Sequence, residues 1–268
     1  MKPLSEGKER ETSGPVPSVD RMLTMLELLA NRGQGLSLSE ISRELSLPKS
    51  SVHSILRTLE RRKYLRHNTR TGKFLFDLKL LSLSYSALDA LDIRCRARTP
   101  LRLLARAAGL TIHMAIRERN EMVLIEKLES SAGSRVATWI GRRMEMHCSA
   151  LGKIVMAHLP PEELERLIRE GGLPRHNDNT ISVPRRLKLE LQKARELGYA
   201  VEDEEDEVGF RCVAAPVFDG PDRVVAAISI VGTVEQITSE NLPRLAELVK
   251  KTAAEISRAV SSEPEIEA

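Results

Sequence analysis

The residues best suited to bind a partner form a short basic segment between Leu36 and Phe76. It holds nine lysines and arginines and three glutamates, a net charge of +6. Because the whole chain of 268 residues has a formal net charge of +3, the remainder sums to −3. A small basic segment joined to a mildly acidic remainder is typical of a polyanion-binding module fused to a second domain.

A helix predicted over residues 48–62 carries the side chains with which such a module would contact DNA. Its apolar residues recur at helical spacing, and they leave the opposite face short, polar and basic. On the second helix of a helix-turn-helix such side chains reach base edges, while nearby lysines and arginines contact phosphates. We predict DNA contacts from Ser37, Lys49, Ser50, Ser51, His53, Ser54, Arg57, Arg66, Arg70 and Lys73.

The surrounding pattern predicts the elements that position this face. A first helix is expected over residues 18–31, and a second, short helix begins after Ser37, which forms a capping box with Glu40. Strands at 64–67 and 73–77 flank a polar turn and predict a hairpin. Helix-turn-helix plus hairpin makes a winged helix, which binds DNA or, alternatively, serves as a protein-interaction module.

The pattern changes after an apolar helix predicted over residues 78–90, which should pack against another subunit or against the wing. Strands then alternate with helices, which predicts an α+β fold with an antiparallel sheet. The strands are predicted at 111–116, 122–128, 135–140, 199–202, 212–218 and 224–231, and the helices at 92–108, 151–158, 161–170, 187–196 and 242–259. The predicted divisions are a disordered arm (1–17), the winged helix (18–77), a linker helix (78–92), a second domain (93–260) and a disordered tail (261–268).

Catalytic and metal-binding signals are weak in this sequence. It has no Gly-rich phosphate loop, HExxH motif or nucleophile elbow, so we predict no enzyme activity and no cofactor. The cysteines Cys95, Cys148 and Cys212 form no CxxC pair. Two alternatives stay open: a thiol redox sensor or enzyme using Cys148 and Cys212, and a zinc site formed by His147, Cys148, Cys212 and a carboxylate. Absence of a long apolar stretch or a secretory signal predicts a cytoplasmic protein without membrane spans.

Four segments in order resemble the IclR family of bacterial transcriptional regulators over about residues 18–259. They are Leu47-Pro-Lys-Ser-Ser-Val-His53, Ala150-Leu-Gly-Lys153, Gly209-Phe-Arg-Cys-Val-Ala-Ala-Pro-Val-Phe-Asp219 and Ala226-Ala-Ile-Ser229. The resemblance implies a DNA-binding regulator, in most members a repressor. It also implies a linker helix, a GAF-like effector domain, and homodimers or homotetramers on palindromic double-stranded DNA operators.

By the same resemblance, a small-molecule effector binds among Ala150, Leu151, Gly152, Gly209, Phe210, Arg211, Cys212 and Ser229, with the acidic run that starts at Glu202 at its border. Ser149 can open a helix whose free N–H groups favour an anion, which suggests an organic acid. The sequence departs from the family pattern in four places: Ser46 for a frequent glycine, Glu145 for a usual proline, Glu202 for a frequent aspartate, and Val231 for a serine-like residue.

Overall fold

The computed structural model of the protein describes residues 16–129 and 136–262. These form two compact units that divide between Ala87 and Leu88. The predicted fold class, α+β with a winged helix-turn-helix and a second domain built on an antiparallel sheet, is confirmed. Residues 1–15 of the predicted arm and 263–268 of the predicted tail lie outside the described residues.

The first unit is a small helical core closed by a wing. Its elements are α1 (Pro17–Arg32), β1 (Leu36–Ser37), α2 (Leu38–Glu44), α3 (Lys49–Arg61), β2 (Leu65–Asn68) and β3 (Lys73–Phe76). The buried side chains of Met25, Ile41 and Leu56 bring the three helices together. Pro17, predicted to end the disordered arm, instead begins α1, because the first helical position needs no N–H donor.

The wing sheet has the order β1-β3-β2 and is antiparallel throughout. The strand β1 was not predicted, since two residues are too few to show an alternating pattern. Helix α4 (Lys79–Asp89) follows the wing, and no residue of this fully described helix is buried. Leu81 and Tyr85 on α4 are 64% and 63% exposed, so the described chain does not cover its apolar surface.

The second unit is a six-stranded antiparallel sheet with helices on both faces. Its elements are α5 (Asp92–Ala108), β4 (Thr111–Glu118), β5 (Glu121–Leu128), β6 (Arg143–Glu145), α6 (Ala150–Met156), α7 (Pro161–Gly171), α8 (Pro184–Leu197), β7 (Ala200–Asp203), β8 (Phe210–Phe218), β9 (Val224–Thr233) and α9 (Leu242–Ser261). The strand order is β6-β5-β4-β9-β8-β7. Helices α5 and α9 pack on one face and α6, α7 and α8 on the other. Ser261, predicted to begin the tail, is the last residue of α9.

The strand predicted over residues 135–140 is wrong for the described residues 136–140, which form an irregular loop. β-Branched and aromatic residues suggested a strand there. The ammonium of Lys127 instead donates to the carbonyls of Val136 and Thr138, at 2.8 and 2.9 Å. These acceptors are thus satisfied without a ladder, and the third strand of the second unit is β6.

Candidate nucleic-acid interface and ligand cavity

The turn between α2 and α3 fixes the angle at which α3 leaves the core. Ser46 adopts a left-handed backbone conformation with φ of 52°. The N–H of Leu47 donates to the carbonyl of Ser42 at 3.0 Å, and the Ser42 hydroxyl donates to the carbonyl of Leu47 at 2.7 Å. This reciprocal pair closes the turn, and the left-handed residue explains why glycine is common at this place in the family pattern.

Helix α3 presents the predicted polar face to solvent. Its buried residues Val52, Leu56 and Leu59 lie on one stripe. On the opposite side lie Lys49, Ser50, His53, Ser54 and Arg57, all exposed, with Ser51 half-buried at its edge. The exposed side chains of this face are able to enter a major groove, which admits an α-helix.

The wing places its basic residues unevenly. Arg66 on β2 is exposed, and Arg70 is held at the tip, where the Asn68 side chain accepts from the N–H of Arg70 at 3.1 Å. Lys73 and Ser37 are half-buried and directly opposite each other between β3 and β1. Lys73 is the first residue of β3, directly after the tip turn, and it lies opposite Asn68 on β2.

Ser37 has a local role that the capping-box prediction anticipated. Its hydroxyl accepts from the N–H of Glu40 at 3.3 Å and donates to the carboxylate at 2.7 Å. The N–H of Ser37 donates to the same carboxylate at 2.7 Å. The hydrogen bonds that the Glu40 carboxylate accepts from the N–H and the hydroxyl of Ser37 hold the pKa of Glu40 below its usual range. The hydroxyl already caps α2, so Ser37 contacts DNA only where it keeps this geometry.

The cavity of the second unit lies on the α6 face of the sheet. Cross-strand register sets its floor, because His113 is opposite Ser229, and Cys212 is opposite both Glu202 and Val231. Residues directly opposite across strands share a face. Its empty space, counted together with the open mouth, is about 530 Å³.

Most of the residues predicted to bind an effector line this cavity. They are Ser149, Ala150, Leu151, Glu202, Phe210, Cys212 and Ser229. Three predicted residues do not appear in its lining, namely Gly152, Gly209 and Arg211. The guanidinium of Arg211 is turned to the carboxylate of Asp203 and the carbonyl of Ile237, so it ties β7 to the segment after β9.

The two glycines shape the cavity without facing it. A Cβ on Gly152 would lie 2.3 Å from the Cα and the carbonyl oxygen of Met146, so only glycine lets α6 approach the turn after β6. Gly209 has φ of 90°, a backbone conformation that residues with a side chain rarely adopt. Its N–H donates to the Glu204 carboxylate at 2.8 Å. This contact holds the start of β8, where Phe210 enters the lining.

Several lining residues were not predicted. They are His113, Val136, Thr138, Arg142, Met144 and Val231, whereas Asp206 and Glu207 belong to the acidic run that was expected at the border. For His113 the signal was present, since it is the one polar residue in the stretch 112–116 of β4. For Arg142 and Thr138 no signal existed. They lie on a loop, and a loop has no hydrophobic periodicity that predicts which side chains face the cavity.

Burial controls the ionisation of the cavity. It raises the pKa of Glu202 to about 7, against hydrogen bonds from Cys212 and from the N–H groups of Glu205 and Asp206. Burial, with Lys127 and Arg142 nearby, lowers the pKa of His113 to about 3. His113 is therefore neutral, and its Nε2 lies 2.9 Å from the Thr138 hydroxyl.

Ser229 stands out among the polar lining residues. It is 1% exposed, and its hydroxyl oxygen has no hydrogen-bond partner within the described residues. A buried hydroxyl without a partner costs about 1–3 kcal/mol. Its position in the cavity wall makes it available to a ligand.

The thiols do not have the environment of reactive cysteines. Burial raises the pKa of Cys148, and the nearby carboxylates add to this effect. Burial and the contact with Glu202 raise the pKa of Cys212 well above its usual range. Because the thiolate is the reactive form, neither residue favours the redox alternative.

An exposed basic recognition helix in one unit and a partly open cavity with a few buried polar groups in the other define a ligand-responsive DNA-binding protein. The family model for the IclR helix-turn-helix domain matches residues 18–69, and that for the bacterial transcriptional regulator IclR C-terminal domain matches residues 85–258. The chain therefore belongs to the IclR family of transcriptional regulators, as its sequence motifs indicated.

Relatives match it over nearly its whole length. The HTH-type transcriptional regulator XynR of Escherichia coli is 33% identical over 91% of this chain and 97% of its own. The HTH-type transcriptional repressor AllR of the same species is 34% identical over 91% and 90%. The fold is shared with an IclR homologue of Microbacterium hydrocarbonoxydans solved with 4-hydroxybenzoate, at 22% identity and a TM-score of 0.79 over 92% of this chain and all of that one. No described helix of this protein is long and apolar enough to cross a membrane.

Proposed function

We propose that the protein is a repressor that leaves a palindromic operator when a small organic acid binds in the cavity. The observation that carries the proposal is the buried Ser229 hydroxyl, which lacks a partner in the described fold and lies in the cavity wall. A ligand hydroxyl or carboxylate would remove the cost of that unmade hydrogen bond. Acting on chromosomal DNA, the regulator would work in the cytoplasm.

The acidic character of the effector is inferred from two lining groups. Arg142 offers a guanidinium, the group best suited to a carboxylate. Glu202, with a pKa near 7, holds a proton at and below neutral pH and can donate it to a ligand oxygen. Asp206, 3.4 Å from Arg142, competes for the same guanidinium. A carboxylate ligand would therefore favour protonated Glu202 and displace Arg142 from Asp206.

Two of the relatives support the parts of this proposal. AllR is named a repressor. The Microbacterium homologue, which shares the fold, was solved with 4-hydroxybenzoate, a small organic acid. The first observation fits a repressor, and the second fits an acid as the ligand.

We also propose that the protein acts as a homodimer or a homotetramer. On α1, Val19 and Leu23 are 47% and 49% exposed on one stripe, and α4 exposes Leu81 and Tyr85. Large apolar surfaces of this kind are usually covered by a partner. A two-fold dimer would read two half-sites about 34–36 Å apart, or a multiple of that spacing. Light scattering should give a dimer or tetramer, and Leu81→Glu with Tyr85→Glu should lower the mass toward one chain.

The first experiment captures genomic DNA fragments on the purified full chain at near-physiological salt and sequences them. Enrichment of a few sites that share a palindrome is expected. Uniform, salt-sensitive enrichment would contradict sequence-specific binding, because phosphate contacts alone do not distinguish sequences.

The second experiment titrates a panel of small carboxylic acids, each matched with its amide, onto the protein bound to the enriched site. Release by an acid but not its amide supports the proposal. Binding should weaken about tenfold per pH unit above 7, because Glu202 must take up a proton. The sole tryptophan, Trp139, gives an optical readout, since the guanidinium of Arg142 lies 5.8 Å from its ring.

Ser229→Ala should abolish release by the acid and leave operator binding intact. Ser239→Ala, an exposed serine of the same unit, is the matched control and should respond as the parent protein does. Release by amides as readily as by acids, or an unchanged response in Ser229→Ala, would rule out the proposed recognition.

A further inference from the structure

A second cluster of polar side chains lies beside the cavity and outside its lining. Glu145 ends β6, His147 and Cys148 follow in the turn that leads to α6, and His176 comes from the loop between α7 and α8. One potential ligand atom from each of the four lies within 4.8 Å of the other three. From this arrangement we infer a binding site for a divalent transition-metal ion, of which Zn²⁺ fits best.

The hydrogen bonds of His147 orient it as a metal ligand. Its Nε2 lies 2.9 Å from the carbonyl oxygen of Pro174, which only accepts, so Nε2 carries the proton. The other nitrogen, Nδ1, then points its lone pair at the Glu145 carboxylate 3.4 Å away. Two acceptors face each other, and a cation between them removes the repulsion. Metal-binding histidines commonly donate their second N–H to a carbonyl in this way.

The remaining ligands complete a donor set whose charge balances that of a divalent ion. His176 Nε2 lies 3.1 Å from the same Glu145 carboxylate, and the rings of His147 and His176 stack with centroids 6.2 Å apart. Cys148, 1% exposed, supplies a sulfur ligand. One thiolate, one carboxylate and two neutral imidazoles balance the charge of a divalent ion, and nitrogen with sulfur is the set that zinc prefers.

The geometry needs only a small contraction. Zinc binds nitrogen at about 2.0–2.1 Å and sulfur at about 2.3 Å, so tetrahedral ligands lie about 3.3–3.8 Å apart. Glu145 and His176 are partly exposed, with room on the solvent side to adjust, while His147 and Cys148 are buried. The sequence left a zinc site open as an alternative, although adjacent ligands such as His147 and Cys148 are an unusual spacing for a structural site. The bends over residues 146–149 let both neighbours face one point, and the structure replaces Cys212 in the predicted set with His176.

The position of the site connects it to the cavity. Cys148 precedes Ser149, which lines the cavity and caps α6. The loop with His176 is held to the acidic run, because the Asn177 side chain donates to the carbonyl of Glu204 at 2.9 Å and Thr180 donates to that of Glu205 at 2.7 Å. A bound ion would cross-link the turn before α6 to the loop between α7 and α8. This cross-link would stabilise the conformation of the two segments beside the cavity.

The test measures metal in untagged full-length protein purified without added metal or chelator. Elemental analysis should find close to one zinc ion per chain. Cys148→Ser and His176→Gln should each lose it, whereas Cys95→Ser and His67→Gln, exposed residues outside the cluster, should retain it. Circular dichroism of each variant separates loss of metal from loss of fold, and His176→Gln, at a partly exposed site, should keep the fold.

Cobalt substitution supplies a second, independent readout. Co²⁺ added to metal-stripped protein should give the strong visible bands of a tetrahedral site and a thiolate-to-metal absorption band that Cys148→Ser lacks. Equal metal content in cluster and control variants would assign any ion to an adventitious site. Protein that contains no metal and gives no cobalt bands would overturn the inference. Both results are independent of operator binding.

Discussion

The two units of the molecule place their charges in opposite ways. Among the described residues of the first unit no charged side chain is buried, and Lys49 and Arg57 face solvent. The second unit buries Lys153, Glu202 and Glu205 near its cavity. Exposed charges act on an external partner, whereas buried charges act on one another and on whatever occupies the cavity. The same kind of substitution should therefore cost DNA affinity in the first unit and stability or ligand response in the second.

The largest effect is expected at Lys153, whose side chain is 0% exposed and pairs with Glu205. Lys153→Met leaves the Glu205 carboxylate buried and unpaired, and its Oε2 already lacks a partner in the described fold. Removing one member of a buried pair costs about 3–5 kcal/mol of the free energy of unfolding. Chemical denaturation at pH 8 measures this loss, and Glu205→Gln in the same chain should restore part of it.

The control is an exposed pair of the same type. Lys188 pairs with Glu165, with side chains 42% and 56% exposed. Lys188→Met should change the free energy of unfolding by less than about 1 kcal/mol. Similar costs at both lysines would contradict the contrast between buried and exposed charge.

The contrast also explains what the sequence allowed us to predict. Helix α3 is contiguous, so its period separates Val52 and Leu56 from His53 and Arg57 within one turn. The cavity is assembled from β4, β7, β8, β9 and the start of α6, and only cross-strand register brings His113 opposite Ser229. Family motifs reached Cys212 and Ser229. They did not identify Arg142, because it lies on a loop, where the sequence pattern does not predict which way a side chain points.

The next effect depends on pH. The folded protein holds the Glu202 proton up to about pH 7, whereas the unfolded chain loses it near the ordinary value of 4.5. Stability from this group is therefore complete below about pH 4.5 and is lost as the pH rises through 7. The difference corresponds to about 3 kcal/mol at most. Glu202→Gln should flatten the stability profile between these values.

Glu240→Gln, at an exposed position of the same unit, is the control for Glu202→Gln. Its unfolding free energy should follow the parent profile from pH 4.5 to pH 8. A Glu202→Gln profile as steep as that of the parent would assign the pH dependence to other groups.

In the first unit the corresponding substitution should act on DNA and leave stability alone. Arg57 is 69% exposed and only weakly paired with Glu60 at 3.8 Å. Arg57→Ala should weaken operator binding by about 1–3 kcal/mol, or roughly 5–150-fold, with little change in the unfolding midpoint. Arg66→Ala on the wing should weaken binding to all DNA sequences equally. It should also reduce the slope of log affinity against log salt concentration by about one.

Fluorescence anisotropy on operator and scrambled DNA separates these two roles. Arg195→Ala, an exposed arginine on α8, is the control and should leave both affinities unchanged. Equal losses on both DNAs for Arg57→Ala would move that residue from base contact to phosphate contact.

The smallest effect is expected at Ser46, in the turn before α3. A left-handed conformation costs a residue with a side chain about 1–2 kcal/mol, and Ser46 has φ of 52°. Glycine removes this strain but loses about 0.5–1 kcal/mol more backbone entropy on folding. Ser46→Gly should therefore raise the free energy of unfolding by up to about 1 kcal/mol, and Ser46→Val should lower it. If glycine destabilises the protein instead, the reciprocal Ser42–Leu47 hydrogen bonds, and not the strain at Ser46, control the geometry that presents α3 to DNA.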